Sequence, residues 1–299
     1  MVAVNRFGGI FLSKKIAFVA GDRRMVSLSI ALADLSYEVS TVGLEKAGLC
    51  EKINCECSLF DALNNADAVV LPVPVSKDHK NVFAPMSERD ISITDVLQCI
   101  DEKSLIFVPK IYDIFNQYKL KFINYMEDPI LLMQNARLTA EGTVCEMIIR
   151  SDRSIKGKNI LVIGNGNVGK AVSDILKSLG ADVTVSARKP LDFALIENKN
   201  MKFIKTEKIG KVVQNFDFII NTVPAPVLGQ KELKKVNKDA IIIDLASKPG
   251  GTDFKAAQEL GLDASLVLGI PGKYMPKTAG RILANTVLRH MGEDIECKI

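Results

Sequence analysis

The 299-residue chain contains no tryptophan, only two histidines, and 6% aromatic residues. With His79 and His290 alone available, a histidine-based triad or a histidine-rich metal centre has little to be built from. No Gly-x-Ser-x-Gly nucleophile elbow occurs. The six cysteines, Cys50, Cys55, Cys57, Cys99, Cys145 and Cys297, do not follow a zinc spacing and read as reduced thiols, so no metal site is expected. No apolar run approaches the ~20 residues of a membrane span. The segment Phe7–Leu12 is short and lacks a small-residue cleavage pattern, so Met1–Lys15 reads as an N-terminal lead rather than an export signal. The net charge of +4 is scattered, and no basic tract with interleaved aromatics appears. These gaps argue against membrane and nucleic-acid partners and lead us to expect a cytoplasmic protein.

What is present is concentrated in Lys158–Pro190. Asn159–Ile163 is an apolar strand pattern, and Gly164-Asn165-Gly166-Asn167-Val168-Gly169 follows at once. Ala171, Val172, Ile175, Leu176 and Leu179 then recur at helical spacing, Gly180 stops the helix, and Val183–Val185 is a second strand. Strand, Gly-x-Gly-x-x-Gly turn, helix and strand is the order that a dinucleotide-binding unit requires. Gly164 permits the tight turn, Gly166 lets a pyrophosphate approach the backbone, and Gly169 lets helix and sheet pack closely. The helix start then offers unpaired N–H groups to phosphate. A triphosphate-binding P-loop would need Ser or Thr after Lys170, and Ala171 stands there.

The end of the second strand bears on which dinucleotide is bound. An NAD site places Asp or Glu about 20 residues on, for the ribose 2′-hydroxyl. Here the strand ends Ser186-Ala187-Arg188-Lys189. Ser186 can donate to a 2′-phosphate, Arg188 can pair with it or stack on adenine, and Lys189 adds charge. The expected cofactor is NADP(H).

Strands and helices alternate elsewhere too. Lys14–Ala20, Tyr37–Val42, Ala68–Leu71, Ser104–Val108 and Phe122–Tyr125 read as strands of a first domain, residues 1–150, with Pro129–Ile149 as a long connecting helix. Residues 151–299 form the second, with further strands at Phe203–Lys205, Phe216–Ile220, Ala240–Asp244 and Leu266–Leu268 and a terminal helix over Arg281–His290 that is expected to return toward the first domain. The class is α/β: two doubly wound parallel-sheet domains, an N-terminal flavodoxin- or Rossmann-like substrate domain and a C-terminal NAD(P)-binding Rossmann domain, joined by long helices.

Ligands of such sheets bind at the carboxyl ends of strands, which selects the remaining candidates. Asp22, Arg23 and Arg24 follow the first strand, where the arginines could hold an anionic substrate; Asp22 as a helix cap with a salt-linked arginine is an equally good reading. Thr139 and Glu141 lie on the connecting helix, and a buried Glu there would titrate high enough for acid–base work. Thr222, Val223 and Pro224 end the fourth strand of the second domain, where the nicotinamide ribose passes. Ala246, Lys248, Gly250 and Gly251 belong to the loop after Asp244, and Lys248 could pair with a carboxylate or donate a proton. Lys277 and Thr278 open the terminal helix.

The segments NARLTAEG (135–142), GNGNVG (164–169), NTVPAPVL (221–228), DLASKPGGTDF (244–254) and PKTAGRILAN (276–285), with AGDRR at 20–24, resemble the A subunit of dipicolinate synthase over nearly the whole chain. The chain departs from that family's pattern at Lys273 and Tyr274, where apolar residues and alanine are common. The resemblance implies an NADP-dependent oxidoreductase of spore formation, in the mother-cell cytoplasm. It would work with the flavoprotein-like B subunit of dipicolinate synthase to turn a dihydrodipicolinate-type dicarboxylate into dipicolinate; a homo-oligomer is also expected. Two carboxylates would call for cations from both domains, Arg23 with Arg24 and Lys248 with Lys277, with Glu141 or Lys248 as acid or base. Alternatives are another NADP-dependent dehydrogenase, of shikimate type, or a non-catalytic NADP-binding subunit that gates a partner.

Overall fold

A computed structural model describes residues 2–4, 10–12, 14–49, 51–56 and 58–293. Cys50, Cys57 and Cys297, and the first half of the Phe7–Leu12 segment, lie outside them. The chain divides into two compact units: one holds 1–134 and 275–299, the other Asn135–Tyr274. The division falls inside the long helix, and the terminal helix is part of the first unit.

In the first unit, β1 (Val2–Val4) pairs antiparallel with β2 (Ile10–Leu12). A separate six-stranded sheet holds β3 (Lys15–Val19), β4 (Glu38–Val42), β5 (Ile53–Cys55), β6 (Ala68–Val70), β7 (Leu105–Val108) and β8 (Lys121–Asn124). Its order is β5-β4-β3-β6-β7-β8, parallel throughout. β5 escapes a sequence reading because three residues are too few to show a period. Helices α1 (Arg23–Asp34), α2 (Leu59–Leu63) and α3 (Ile93–Cys99) cover the sheet. Strand alternation sorts the core. Ile16 and Phe18 face α1 and the terminal helix Pro276–His290, through Leu28, Leu32, Leu283 and Val287; Ala17 and Val19 face α2 and α3, through Leu63, Val96 and Leu97. The terminal helix lies tightly on α1 because of Gly280: a Cβ there would stand 2.6 Å from Ser27 Cβ and 2.7 Å from the Arg24 carbonyl oxygen. Proline at its start sets the helix off one turn earlier than Arg281.

The helix α4 (Pro129–Ser151) leads into the second unit. Its sheet comprises β9 (Asn159–Ile163), β10 (Asp182–Ala187), β11 (Lys202–Lys205), β12 (Phe218–Asn221), β13 (Ile241–Asp244) and β14 (Asp263–Leu266). The order β11-β10-β9-β12-β13-β14 is again all parallel. Around it lie α5 (Asn167–Ser178), α6 (Pro190–Glu197), α7 (Gln230–Leu233), α8 (Phe254–Glu259) and α9 (Ile270–Tyr274). Ile160, Val162, Phe218 and Ile220 pack under α4 and α5; Leu161, Ile163, Ile219 and Ile242 pack under α7 and α8. In each sheet the first strand sits beside the fourth, so the strand order reverses there and leaves a crevice at the carboxyl ends: the Rossmann arrangement. Among the described residues no helix is long and apolar enough to cross a membrane.

Candidate functional site

The crevice beside β9 carries the glycine turn. Gly164 has φ +102°, and a Cβ on it would lie 2.6 Å from Thr222 Oγ1. A Cβ on Gly169 would lie 2.2 Å from the Gly164 carbonyl oxygen, so α5 can start this close to the strand only with glycine there. Gly166 is different: a Cβ there would meet nothing within 4 Å. It is the N-cap of α5, no side chain caps that helix, and Asn167 and Val168 form its first turn. Free N–H groups therefore face open space, the arrangement that receives a pyrophosphate.

Gly164, Asn165 and Gly166 line a cavity of about 600 Å³ together with Ser186, Arg188, Lys189, Thr222, Val223 and Pro224. Residues the sequence did not single out line it too: Lys170, Asp192, Thr206 and the run Ala225-Pro226-Val227. Arg188 and Lys189 are exposed and form no ion pair with a described residue. Ser186 is fully buried and its hydroxyl has no partner. Its backbone carbonyl accepts from Gly164 N–H at 3.0 Å, so Ser186 shapes the turn, and its hydroxyl has no surface to offer a phosphate. Thr222 donates its hydroxyl and its N–H to the Ile163 carbonyl, at 2.8 and 2.9 Å, and so ties β12 to β9 beneath the glycine turn.

The loop after β13 is organised by a residue that sequence reasoning passed over. Asp244 is fully buried. One carboxylate oxygen accepts from Ala246 N–H at 3.0 Å; the other accepts from Gly251 N–H at 2.9 Å and Thr252 Oγ1 at 2.8 Å. Such charge-assisted bonds contribute about 1.5–3 kcal/mol each. Gly250, with φ +85°, donates its N–H to the Ser247 carbonyl. A Cβ on Gly251 would stand 2.6 Å from the carbonyl oxygens of Val223 and Ala225. Both glycines are buried with their N–H groups engaged inside the loop. They build it, as Ala246 does, and those N–H groups are already spent inside the loop. Lys248 stands exposed on this anchored loop.

The remaining candidates separate. Glu141 is 39% exposed along its side chain and accepts from Arg137 Nε at 3.1 Å, a surface pair rather than a buried acid. Thr139 donates its hydroxyl back to the Asn135 carbonyl at 2.8 Å. The buried acid of α4 is Glu146, with 4% side-chain exposure. Lys273 Nζ at 2.6 Å, Tyr274 Oη at 2.7 Å and Arg150 Nε at 3.1 Å all donate to it. Burial pushes its carboxyl up, but these hydrogen bonds outweigh burial and hold it down at about 2. In the first unit Asp22 caps α1 by accepting from Arg24 N–H at 2.9 Å. The Arg24 guanidinium closes on Asp22 at 2.8 Å and on the Val73 carbonyl at 2.6 Å, so it has little left for a ligand. Arg23 is exposed and makes no ion pair with a described residue. Lys277 and Thr278, with Arg281, edge a separate cavity of about 560 Å³ against Ser27, Ile30 and Asp34 of α1. No cluster of described residues is arranged to hold a metal ion, and Cys55, Cys99 and Cys145 are free thiols.

Residues 15–126 match the family model of the N-terminal domain of the dipicolinate synthase A subunit. The chain is 31% identical over 286 residues to the A subunit of dipicolinate synthase from Bacillus subtilis, covering 93% of this chain and 96% of the relative. The crystal structure of the dipicolinate synthase A subunit from Bacillus halodurans superposes with a TM-score of 0.86 at 30% identity, over 94% of this chain and 98% of that one. The chain belongs to the family of dipicolinate synthase A subunits. Residues 132–248 match a second model, the NAD-binding domain of D-isomer specific 2-hydroxyacid dehydrogenases. A shikimate dehydrogenase (NADP(+)) of Methanosphaera stadtmanae is 28% identical over 151 residues, 45% of this chain. This family member is thus an oxidoreductase-type protein whose second unit is built for a nicotinamide dinucleotide.

Proposed function

We propose that this chain is an NADP(H)-dependent oxidoreductase, the A subunit of a dipicolinate synthase. It would form dipicolinate from a dihydrodipicolinate-type precursor during sporulation, in the mother-cell cytoplasm, with a flavoprotein-like B subunit. The observation that carries the reading is the cavity in which the uncapped start of α5 and the exposed pair Arg188 and Lys189 meet, in a chain that aligns over 93% of its length with the A subunit of a dipicolinate synthase.

The residues fit such a cofactor. Open space at Gly166 and the free N–H groups of α5 suit a pyrophosphate, and Arg188 with Lys189 suits a 2′-phosphate. When bound, NADP⁺ supplies a hydride acceptor at nicotinamide C4. Aromatisation of the dihydro ring then balances as loss of one ring hydrogen as hydride and another as a proton to a base. Lys248, on a loop that Asp244 holds rigid, is our candidate for pairing with a substrate carboxylate or taking that proton. Arg23, an exposed cation at the start of α1, is proposed as a further anion contact. Glu141 is the weaker candidate for the base, being half-exposed and already paired with Arg137.

The test is NADPH formation by the purified chain from dihydrodipicolinate and NADP⁺, with NAD⁺ in parallel, before and after adding the B subunit. Turnover with NADP⁺ in either state is expected. No turnover with the complete pair would overturn the reading. Full turnover by Lys248→Ala in the complete complex would remove Lys248 from it.

A further inference from the structure

Asp192 is the only carboxylate among the described residues lining the dinucleotide cavity, where it faces three cations, Lys170, Arg188 and Lys189. It is the third residue of α6, a position from which an acid ordinarily supports its own helix start. Here the carboxylate turns instead to the glycine turn: Asn165 Nδ2 donates to Asp192 Oδ1 at 3.0 Å. It forms no ion pair with a described residue. Its charge therefore stands in the cavity, fixed in place by a neutral amide and not cancelled by a cation.

We propose that Asp192 is a specificity-determining residue that limits this site's preference for a 2′-phosphorylated dinucleotide. This rests on the reading that the cavity takes the adenosine end of the cofactor. A 2′-phosphate brings negative charge that Arg188 and Lys189 attract and Asp192 repels. A 2′-hydroxyl brings a donor, which the carboxylate can accept. The strand end at Ala187 holds no acid, so the sequence alone suggests a one-sided NADP(H) site. The acid arrives five residues later, on α6, and the selectivity becomes a difference between opposed charges.

The experiment is calorimetric titration of the full-length chain and its Asp192→Asn variant with NADP⁺ and with NAD⁺. Asparagine keeps the shape and an oxygen for Asn165 to donate to. The expected result is a rise of about tenfold in the ratio of NADP⁺ to NAD⁺ affinity. The rise should shrink at high ionic strength as the charges are screened. A ratio that does not move, or equal loss of both affinities, overturns the inference and leaves the cofactor reading standing. A wild-type chain that binds neither nucleotide overturns both.

Discussion

The two units repeat one strand order and treat the first turn after the first strand in opposite ways. Both turns begin with a glycine at positive φ, +111° at Gly21 and +102° at Gly164. After Gly21, Asp22 caps α1 and Arg24 clasps Asp22, so the helix start is satisfied from within. After Gly164, the cap is Gly166 and no side chain closes α5. A positive-φ glycine leads to a self-sealed helix end in one case and to an uncapped one in the other. What separates them is whether a carboxylate stands at the cap. In the second unit the buried carboxylate with basic partners is Glu146 on α4, which accepts from Lys273 and Arg150.

The most damaging test of the comparison is Gly169→Ala. A Cβ 2.2 Å from a backbone oxygen forces the turn and α5 apart. Overpacking of this kind costs about 1–3 kcal/mol of stability, and a turn displaced by about 1 Å loses on the order of a hundredfold in function. Calorimetric unfolding with nucleotide titration checks both; wild-type affinity in this variant would show that the close approach is dispensable.

Glu146→Gln comes next. The folded carboxyl sits at about 2, below its ordinary 4.5. The charged, hydrogen-bonded form therefore stabilises the fold fully above pH ~4.5, and that contribution disappears as pH falls toward ~2. About 3 kcal/mol is expected to be lost in the variant at neutral pH, with the gap to wild type closing through that acid window. Denaturant unfolding across the window decides it: parallel curves for the two proteins would contradict the assignment.

Asp22→Ala is smaller, about 1–2 kcal/mol from the lost cap and an Arg24 left with the Val73 carbonyl. Nucleotide affinity should stay at the wild-type value, since the sealed turn receives no dinucleotide. A weakened affinity for NADP⁺ in this variant would erase the contrast between the two turns.

How much of this was legible follows from distance along the chain. The glycine turn with its flanking strand and helix is a local pattern, and the sequence showed it; Asp22 read equally well as a cap and as a substrate contact, and only the Arg24 N–H bond decides for the cap. Glu141 and Glu146 are five residues apart on one helix, on different faces. Which face is packed depends on Lys273 and Tyr274, more than a hundred residues away, and α4 is too evenly apolar for its pattern to say. Asp244 looked like the end of a strand, because its partners Gly251 and Thr252 declare their role only once the loop closes. The terminal helix follows the second unit in sequence, and the contact that seats it, Gly280 against α1, lies at the far end of the chain. Asp192 lay hidden for the same reason: Asn165, its partner, is on the other side of a strand and a helix.

The finest test is Gly166→Ala, because it separates fold from function at a single atom. The residue has φ −77° and ψ −170°, which alanine adopts freely, and no neighbour lies within 4 Å of the added carbon. Replacing a flexible glycine at a compatible site gains about 0.4–1 kcal/mol through the unfolded chain, and the poorer fit of alanine at an N-cap offsets that gain. The variant should therefore unfold close to the wild-type midpoint. The open space it fills is where the backbone should meet a pyrophosphate, so affinity for NADP⁺ should drop by about tenfold, some 1.4 kcal/mol. Binding would then fall while stability holds, which a merely structural glycine cannot produce. If both stay unchanged, the gap at Gly166 is ordinary surface and the contrast with the sealed turn at Asp22 loses its functional meaning.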